Sequence, residues 1–130
     1  MAIIPRMPSD SVDELFSNLQ EAKEKRQPRG MALPHTYLWF FKKVRNRGPW
    51  DYKQRDRSLA NFGNFNYGAT GTTVGIPPDI LLMAGGYAQT QAGTSRPEWN
   101  YWYQQSPYGD DPQDQFWIQQ GPDYANRHGY

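Results

Sequence analysis

The chain reads as a mainly α protein, one compact helical domain with long aromatic-rich loops. Three observations predict this. A capping-box pattern at Ser11 leads into apolar residues at helical spacing, and the largely apolar run Pro34–Val44 is too long for an ordinary strand. Two further segments, at Pro77 and Asp111, open with proline where a first helical turn tolerates it.

Taken in order, Ser11 is the expected N-cap and Glu14 its N3 partner, with Val12, Leu15, Phe16 and Leu19 on one face. Lys23, Lys25 and Arg26 suit the negative end of the helix dipole, and Pro28-Arg29-Gly30 stops the chain, giving a helix over 12–26. A second, well-buried helix follows over 34–46 and ends before Gly48-Pro49, with His35 in its first turn. Trp50 to Gln54 has no clean period and is expected to be an ordered loop held by its aromatics. Gly68, Gly71 and Gly75 recur at spacings of three and four, which on a helix makes one flat face. Glycine costs roughly 0.5–1 kcal/mol against alanine inside a helix, so Gly68 and Gly71 are expected to pack against another backbone. Pro77-Pro78-Asp79 opens a helix over 77–90 that Gly85-Gly86 could kink. Residues 91–109 form a long irregular loop carrying Trp99, Tyr101, Trp102, Tyr103 and Tyr108. A last helix over 112–120 has Asp111 as N-cap, Pro112 at N1, Asp114 in the first turn and Gly121 as its stop. His128 is expected in a frayed tail.

At 130 residues the chain has room for one core, and with 15% aromatic residues that core should be built largely from Trp, Tyr and Phe. The formal charge of +1 lacks the strong positive field of a dedicated nucleic-acid binder. It is unevenly spread: eleven of the 14 Lys and Arg lie between Lys23 and Arg57, whereas Glu98 to Asp123 holds five acids and no base. A basic half facing an acidic half is expected to help hold the fold. No cysteine is present, which removes disulfides and thiolate metal sites and is compatible with either the cytosol or export. No run approaches the ~20 apolar residues of a transmembrane segment, and no signal peptide is legible. Residues 1–30 are expected as an N-terminal linker or docking helix and 31–130 as the catalytic domain.

Two histidines, His35 and His128, stand far apart with no HExxH, so no metal site is expected; there is also no GxSxG, P-loop or GxGxxG. What remains are carboxylates set among aromatics. Burial raises the pKa of one acid while a polar setting keeps another ionised, and that split supplies a general acid and a base or nucleophile without a cofactor. Glycoside cleavage uses such a pair, with aromatic faces stacking on sugars. The expected working pair is Asp111 and Asp51, with Asp110 or Glu98 able to replace either, although Asp111 and Asp114 also suit plain helix capping.

Three blocks, Gly48-Pro-Trp-Asp-Tyr-Lys53, Phe62-Gly-Asn-Phe-Asn-Tyr-Gly-Ala-Thr-Gly71 and Tyr108-Gly-Asp-Asp-Pro-Gln-Asp-Gln115, resemble in type and order the signature blocks of the type 44 polymorphic toxins. The resemblance spans roughly residues 36–124. It implies an antibacterial effector domain at the end of a large delivered protein, such as an Rhs-type protein of a secretion system, neutralised in the producer by a cognate immunity protein. A related form of the pattern carries His at the position of Asn66, so an imidazole mechanism does not carry over here. On this reading the domain hydrolyses a polymer of the target cell, with peptidoglycan glycan strands in the periplasm preferred. Asn64, Asn66 and Tyr67 would orient substrate or water, Lys53 would hold a charged group, and Trp99 and Trp102 would stack. The alternative is a metal-independent ribonuclease in the cytosol, with Lys53, Arg55 and Arg57 on phosphates and Tyr67 stacking a base.

Overall fold

The computed structural model describes residues 3–28 and 32–130. Among them are six α-helices and no strand: α1 (Asp13–Lys25), α2 (Pro34–Val44), α3 (Tyr52–Arg55), α4 (Ala60–Thr73), α5 (Pro78–Gln91) and α6 (Pro112–Arg127), with single 3-10 turns at Pro8–Asp10, Arg57–Leu59 and Pro97–Trp99. The mainly α fold is as the sequence predicts.

The centre of the molecule is the pairing of α4 with α6, and glycine makes it possible. A Cβ on Gly68 would lie 2.1 Å from the Ile118 carbonyl oxygen, and one on Gly121 would lie 2.3 Å from the Ala69 nitrogen and 2.4 Å from the Phe65 oxygen. The two backbones therefore touch where neither could carry a side chain. Gly121 does not stop α6 as expected; it is the contact surface, and the helix runs on to Arg127. Pro122 sits inside that helix. Having no N–H, it leaves the Ile118 carbonyl without its helical donor, and this is the oxygen that faces the Gly68 Cα, a setting suited to a weak Cα–H···O contact.

Gly71 corrects the expectation in a different way. Its missing Cβ would meet the Leu81 side chain at 2.5 Å, so it makes room for a side chain of α5, not a backbone. Gly75 lies beyond the helix at φ 98°, in the left-handed region glycine tolerates. The Ile76 N–H returns to the Gly71 carbonyl and the Gly75 N–H to that of Thr72, both at 3.0 Å, which is a Schellman stop.

Around this pair five aromatic side chains, Phe40, Trp50, Tyr52, Phe62 and Phe65, share the buried core with aliphatic ones. Tyr52 meets Phe62 edge-on at 4.7 Å, Phe65 meets Tyr124 at 5.5 Å and Phe40 stacks on Tyr67 at 5.5 Å. Helix α1 lays Leu15, Leu19 and Ala22 into the same core, each leucine contributing about 1.5–3 kcal/mol by burial. Between them Asn18 donates to the Tyr52 hydroxyl at 2.8 Å and to the Asn66 side-chain Oδ1 at 3.0 Å. The N-cap of α1 is Val12 and not Ser11 as expected; Ser11 lies one residue earlier and accepts from the Asp13 N–H, and Glu14 makes no capping box but pairs with Arg55 at 2.9 Å.

Other expectations change. Trp50 to Gln54 is not a loop: Tyr52 begins the short α3. Gly85-Gly86 do not interrupt α5. His128 is not in a frayed tail but caps α6, stacked on Tyr124 at 4.0 Å. The stop expected at Pro28-Arg29-Gly30 and the boundary at residues 30–31 fall partly outside the described residues, and α1 has already ended at Lys25. Among the described residues no ion pair joins the basic segment Lys23–Arg57 to the acidic segment Glu98–Asp123. Between elements, the ion pairs among the described residues join Glu14 and Glu21 of α1 to Arg55 and Lys43.

Candidate active site

The acids that stand together lie where the long loop enters α6. Asp110 closes the loop, Asp111 is the N-cap of α6 and Asp114 occupies its first turn. Proline at the first helical position fixes the entry, and the Asp111 carboxylate accepts from the Gln113 N–H at 2.9 Å, so the expected capping role is real. Asp110 is only 3% exposed. One of its oxygens accepts from the Asp111 N–H at 2.9 Å and the other from the Gln115 amide at 2.7 Å. Gly85 of α5 leaves space for this carboxylate, since a Cβ there would stand 3.0 Å from it.

Asp114 is half-buried, and Asn64 of α4 donates to it at 3.1 Å. Burial, reinforced by the charges of Asp110 and Asp111, raises its pKa to about 6, while Lys53 and the Asn64 amide pull the other way. Burial also raises Asp110, against the Gln115 and Asp111 donors; the Asp111 charge adds to the rise and Lys53 opposes it. A carboxyl whose pKa lies near 6, as that of Asp114 does, exchanges its proton close to the pH at which a general acid or base works. Among the described residues no group of three or more His, Asp or Glu side chains is arranged to hold a metal ion.

The sequence-derived candidates separate into two groups. Lys53, Asn64, Asp110 and Asp111 stand with this cluster, and so does Asp114, read from the sequence chiefly as a cap, whose pKa burial raises to about 6. Its signal was the i, i+3, i+4 spacing from Asp111 and Asp110, which puts three acids on one helical entrance. Gln115, which the sequence reading passed over, holds Asp110. Tyr67 feels the Asp110 charge, but its hydroxyl donates to the Leu81 carbonyl at 2.8 Å and burial raises its pKa further.

The others lie elsewhere or are engaged. Asp51 accepts from the Arg47 N–H at 2.7 Å, bracing the turn before α3, and is not among the charges that act on Asp110 or Asp114. Asn66 faces the opposite side of α4 from Asn64, fully buried and bonded to Asn18. Glu98 is exposed on the Pro97–Trp99 turn. Trp99 carries Arg96 over its ring at 5.3 Å, and Trp102 lies edge-on to Tyr87 at 5.3 Å. Of the proposed phosphate contacts, Arg55 is held by Glu14, by the Pro49 carbonyl and by the face of Tyr52. A shallow, open depression of about 800 Å³ runs along Lys53, Arg55 and Arg57, and Lys53 joins it to the acids.

A family model described as bacterial toxin 44 matches residues 52–127, from the start of α3 to the end of α6. No curated protein and no solved structure matches the chain.

Proposed function

The chain belongs to the bacterial toxin 44 family, and from that premise we propose that it is a hydrolase of the target cell's peptidoglycan glycan strands. The observation that carries this reading is Asp114: a half-buried carboxyl with a pKa raised to about 6, held by Asn64 and set beside Asp111 and Asp110. Protonated, Asp114 gives its proton to the glycosidic oxygen as the bond to the anomeric carbon breaks. Asp111, at the mouth of α6, then acts as base on the attacking water or as nucleophile. Asp110 is a positioning residue: fixed by Gln115 and the Asp111 N–H, its charge lifts the Asp114 pKa. Lys53 opposes that rise and keeps Asp114 within reach of ionisation. The working pair thus moves from Asp111 and Asp51 to Asp111 and Asp114.

A near-neutral net charge and a cysteine-free chain suit work in the periplasm, and a domain of this family calls for delivery machinery and an immunity protein in the producer. The depression along Lys53, Arg55 and Arg57 supports a second reading, cleavage of RNA in the cytosol. Arg55 is already engaged by Glu14 and Tyr52, which weakens it. Expression with and without a periplasmic export signal separates the two, together with analysis of muropeptides released from purified sacculi. Toxicity only in the exported form, with release of glycan fragments, is the expected outcome. Toxicity only in the cytosol would reject the wall-hydrolase reading.

A further inference from the structure

Residues 100–108 form a closed loop. At its neck the Gly109 N–H donates to the Trp99 carbonyl at 2.7 Å, and inside it the Asn100 amide donates to the Ser106 carbonyl at 2.8 Å. Three residues at the neck, Asn100, Tyr108 and Gly109, hold positive φ of 65°, 61° and 76°. For Asn and especially Tyr this left-handed conformation is strained, and such strain persists only where surrounding contacts impose it. One such contact is visible: the Tyr108 carbonyl rests on Gly86 of α5, where a Cβ would lie 1.6 Å away. The neck leads directly into Asp110 and Asp111.

At its tip the loop presents Tyr101 and Tyr103, 61% and 60% exposed, their rings parallel within 5° and 5.7 Å apart. Trp102, between them in the chain and half-buried, lies edge-on to Tyr87 at 5.3 Å and to Tyr103 at 5.4 Å, so it supports the pair. The charge around this pair is distinctive. From residue 58 to the end of the chain the cations are Arg96 and Arg127. The first lies over the ring of Trp99 and the second is paired with Asp123. Platforms that stack nucleic-acid bases combine aromatics with basic side chains that hold the backbone. Here the loop that carries the pair, residues 100–108, holds no Lys or Arg and leads in sequence into the acids Asp110 and Asp111.

We infer that Tyr101 and Tyr103 form a stacking subsite for an uncharged glycan strand, holding it beside the acids at the mouth of α6. This rests on the hydrolase reading and adds to it the residues that choose sugar over nucleic acid. The test is co-sedimentation of the whole protein with purified peptidoglycan sacculi, with single-stranded RNA binding followed in parallel by tryptophan fluorescence. The protein should pellet with sacculi and lose little binding as salt rises. Tyr101→Ala/Tyr103→Ala should bind about tenfold more weakly with an unchanged melting temperature, because both rings lie outside the core. Tyr101→Phe/Tyr103→Phe, which keeps the ring faces, should bind like the parent. Sedimentation of the double alanine variant equal to the parent's would overturn the subsite while leaving the hydrolase reading intact. RNA binding in preference to sacculi would also overturn it. Asp114→Asn separates the two ideas: it should still sediment with sacculi while releasing no muropeptides, and release of muropeptides by that variant would reject the acid mechanism whatever the loop binds.

Discussion

The side-chain amide of Asn64, on α4, donates a 3.1 Å hydrogen bond to Asp114 in the first turn of α6, and so ties the central helix to the acid whose pKa is raised to about 6. Because that bond favours the ionised carboxyl, it lowers a pKa that burial and two neighbouring acids raise. Asn64→Leu should therefore move the Asp114 pKa further up and shift the pH–rate profile for glycan release the same way. Asp114→Asn should abolish release at every pH. A profile unmoved by Asn64→Leu would show that Asp114 is not the titrating group.

Stability should carry the mark of the same acid. With its folded pKa near 6 and its unfolded value near 3.8, the folded state holds the proton more tightly. Stability from this group is thus full below about pH 4 and is lost as pH rises through 6. Discounted for its partial exposure, the loss is about 1–2 kcal/mol. Asp114→Asn should melt higher than the parent at pH 7, and the difference should vanish near pH 4. Thermal melts across that range check it, and an Asn variant less stable at pH 7 would contradict the assignment.

The glycines give a graded series. Gly68→Ala and Gly121→Ala drive a methyl into backbone atoms at 2.1 and 2.3 Å and should each cost several kcal/mol, of order 3 or more, by prising α4 from α6. Gly86→Ala strikes the Tyr108 carbonyl at 1.6 Å and should reduce activity by displacing the loop neck. Gly63→Ala meets the Tyr52 side chain at an ordinary 3.6 Å and should instead stabilise, by about 0.5–1 kcal/mol. Chemical denaturation of the four variants would show whether they keep this order.

Helix α1 is the part whose membership in the domain the sequence left open. Its Leu15, Leu19 and Ala22 are buried, and Asn18 bridges Tyr52 and Asn66 in the interior. Residues 31–130 alone should lack a cooperative thermal transition, since removal exposes those partners. Asn18→Ala, which leaves the Tyr52 hydroxyl and the Asn66 amide short of a partner, should cost about 1–3 kcal/mol. A truncated chain that melts cooperatively at the parent temperature would make α1 a dispensable appendage.

What the sequence by itself determined is local. Proline at the starts of α2, α5 and α6, the Asp111 cap and the apolar spacing of Leu15 and Leu19 fix helices through the chain's own next few residues; the second and third motif blocks lie inside the family match, and of the first only Tyr52 and Lys53 do. The glycines announced that something approaches closely, but not what. Only the tertiary structure decided that Gly121 is a contact surface and no helix stop, because the backbone of Phe65, Gly68 and Ala69 fills the space where its side chain would be. Only it separated Asn64 from Asn66, two positions apart and on opposite faces of α4, one reaching Asp114 and the other Asn18. The same holds for the acids. Asp51, Asp111 and Asp114 are alike as letters, and only packing tells them apart: burial and the charges of Asp110 and Asp111 raise the pKa of Asp114, while Asp51 accepts from the Arg47 N–H and Asp111 from the Gln113 N–H. Those quantities exist only once α3, α4 and α6 are packed around Lys53, Asn64 and Asp110.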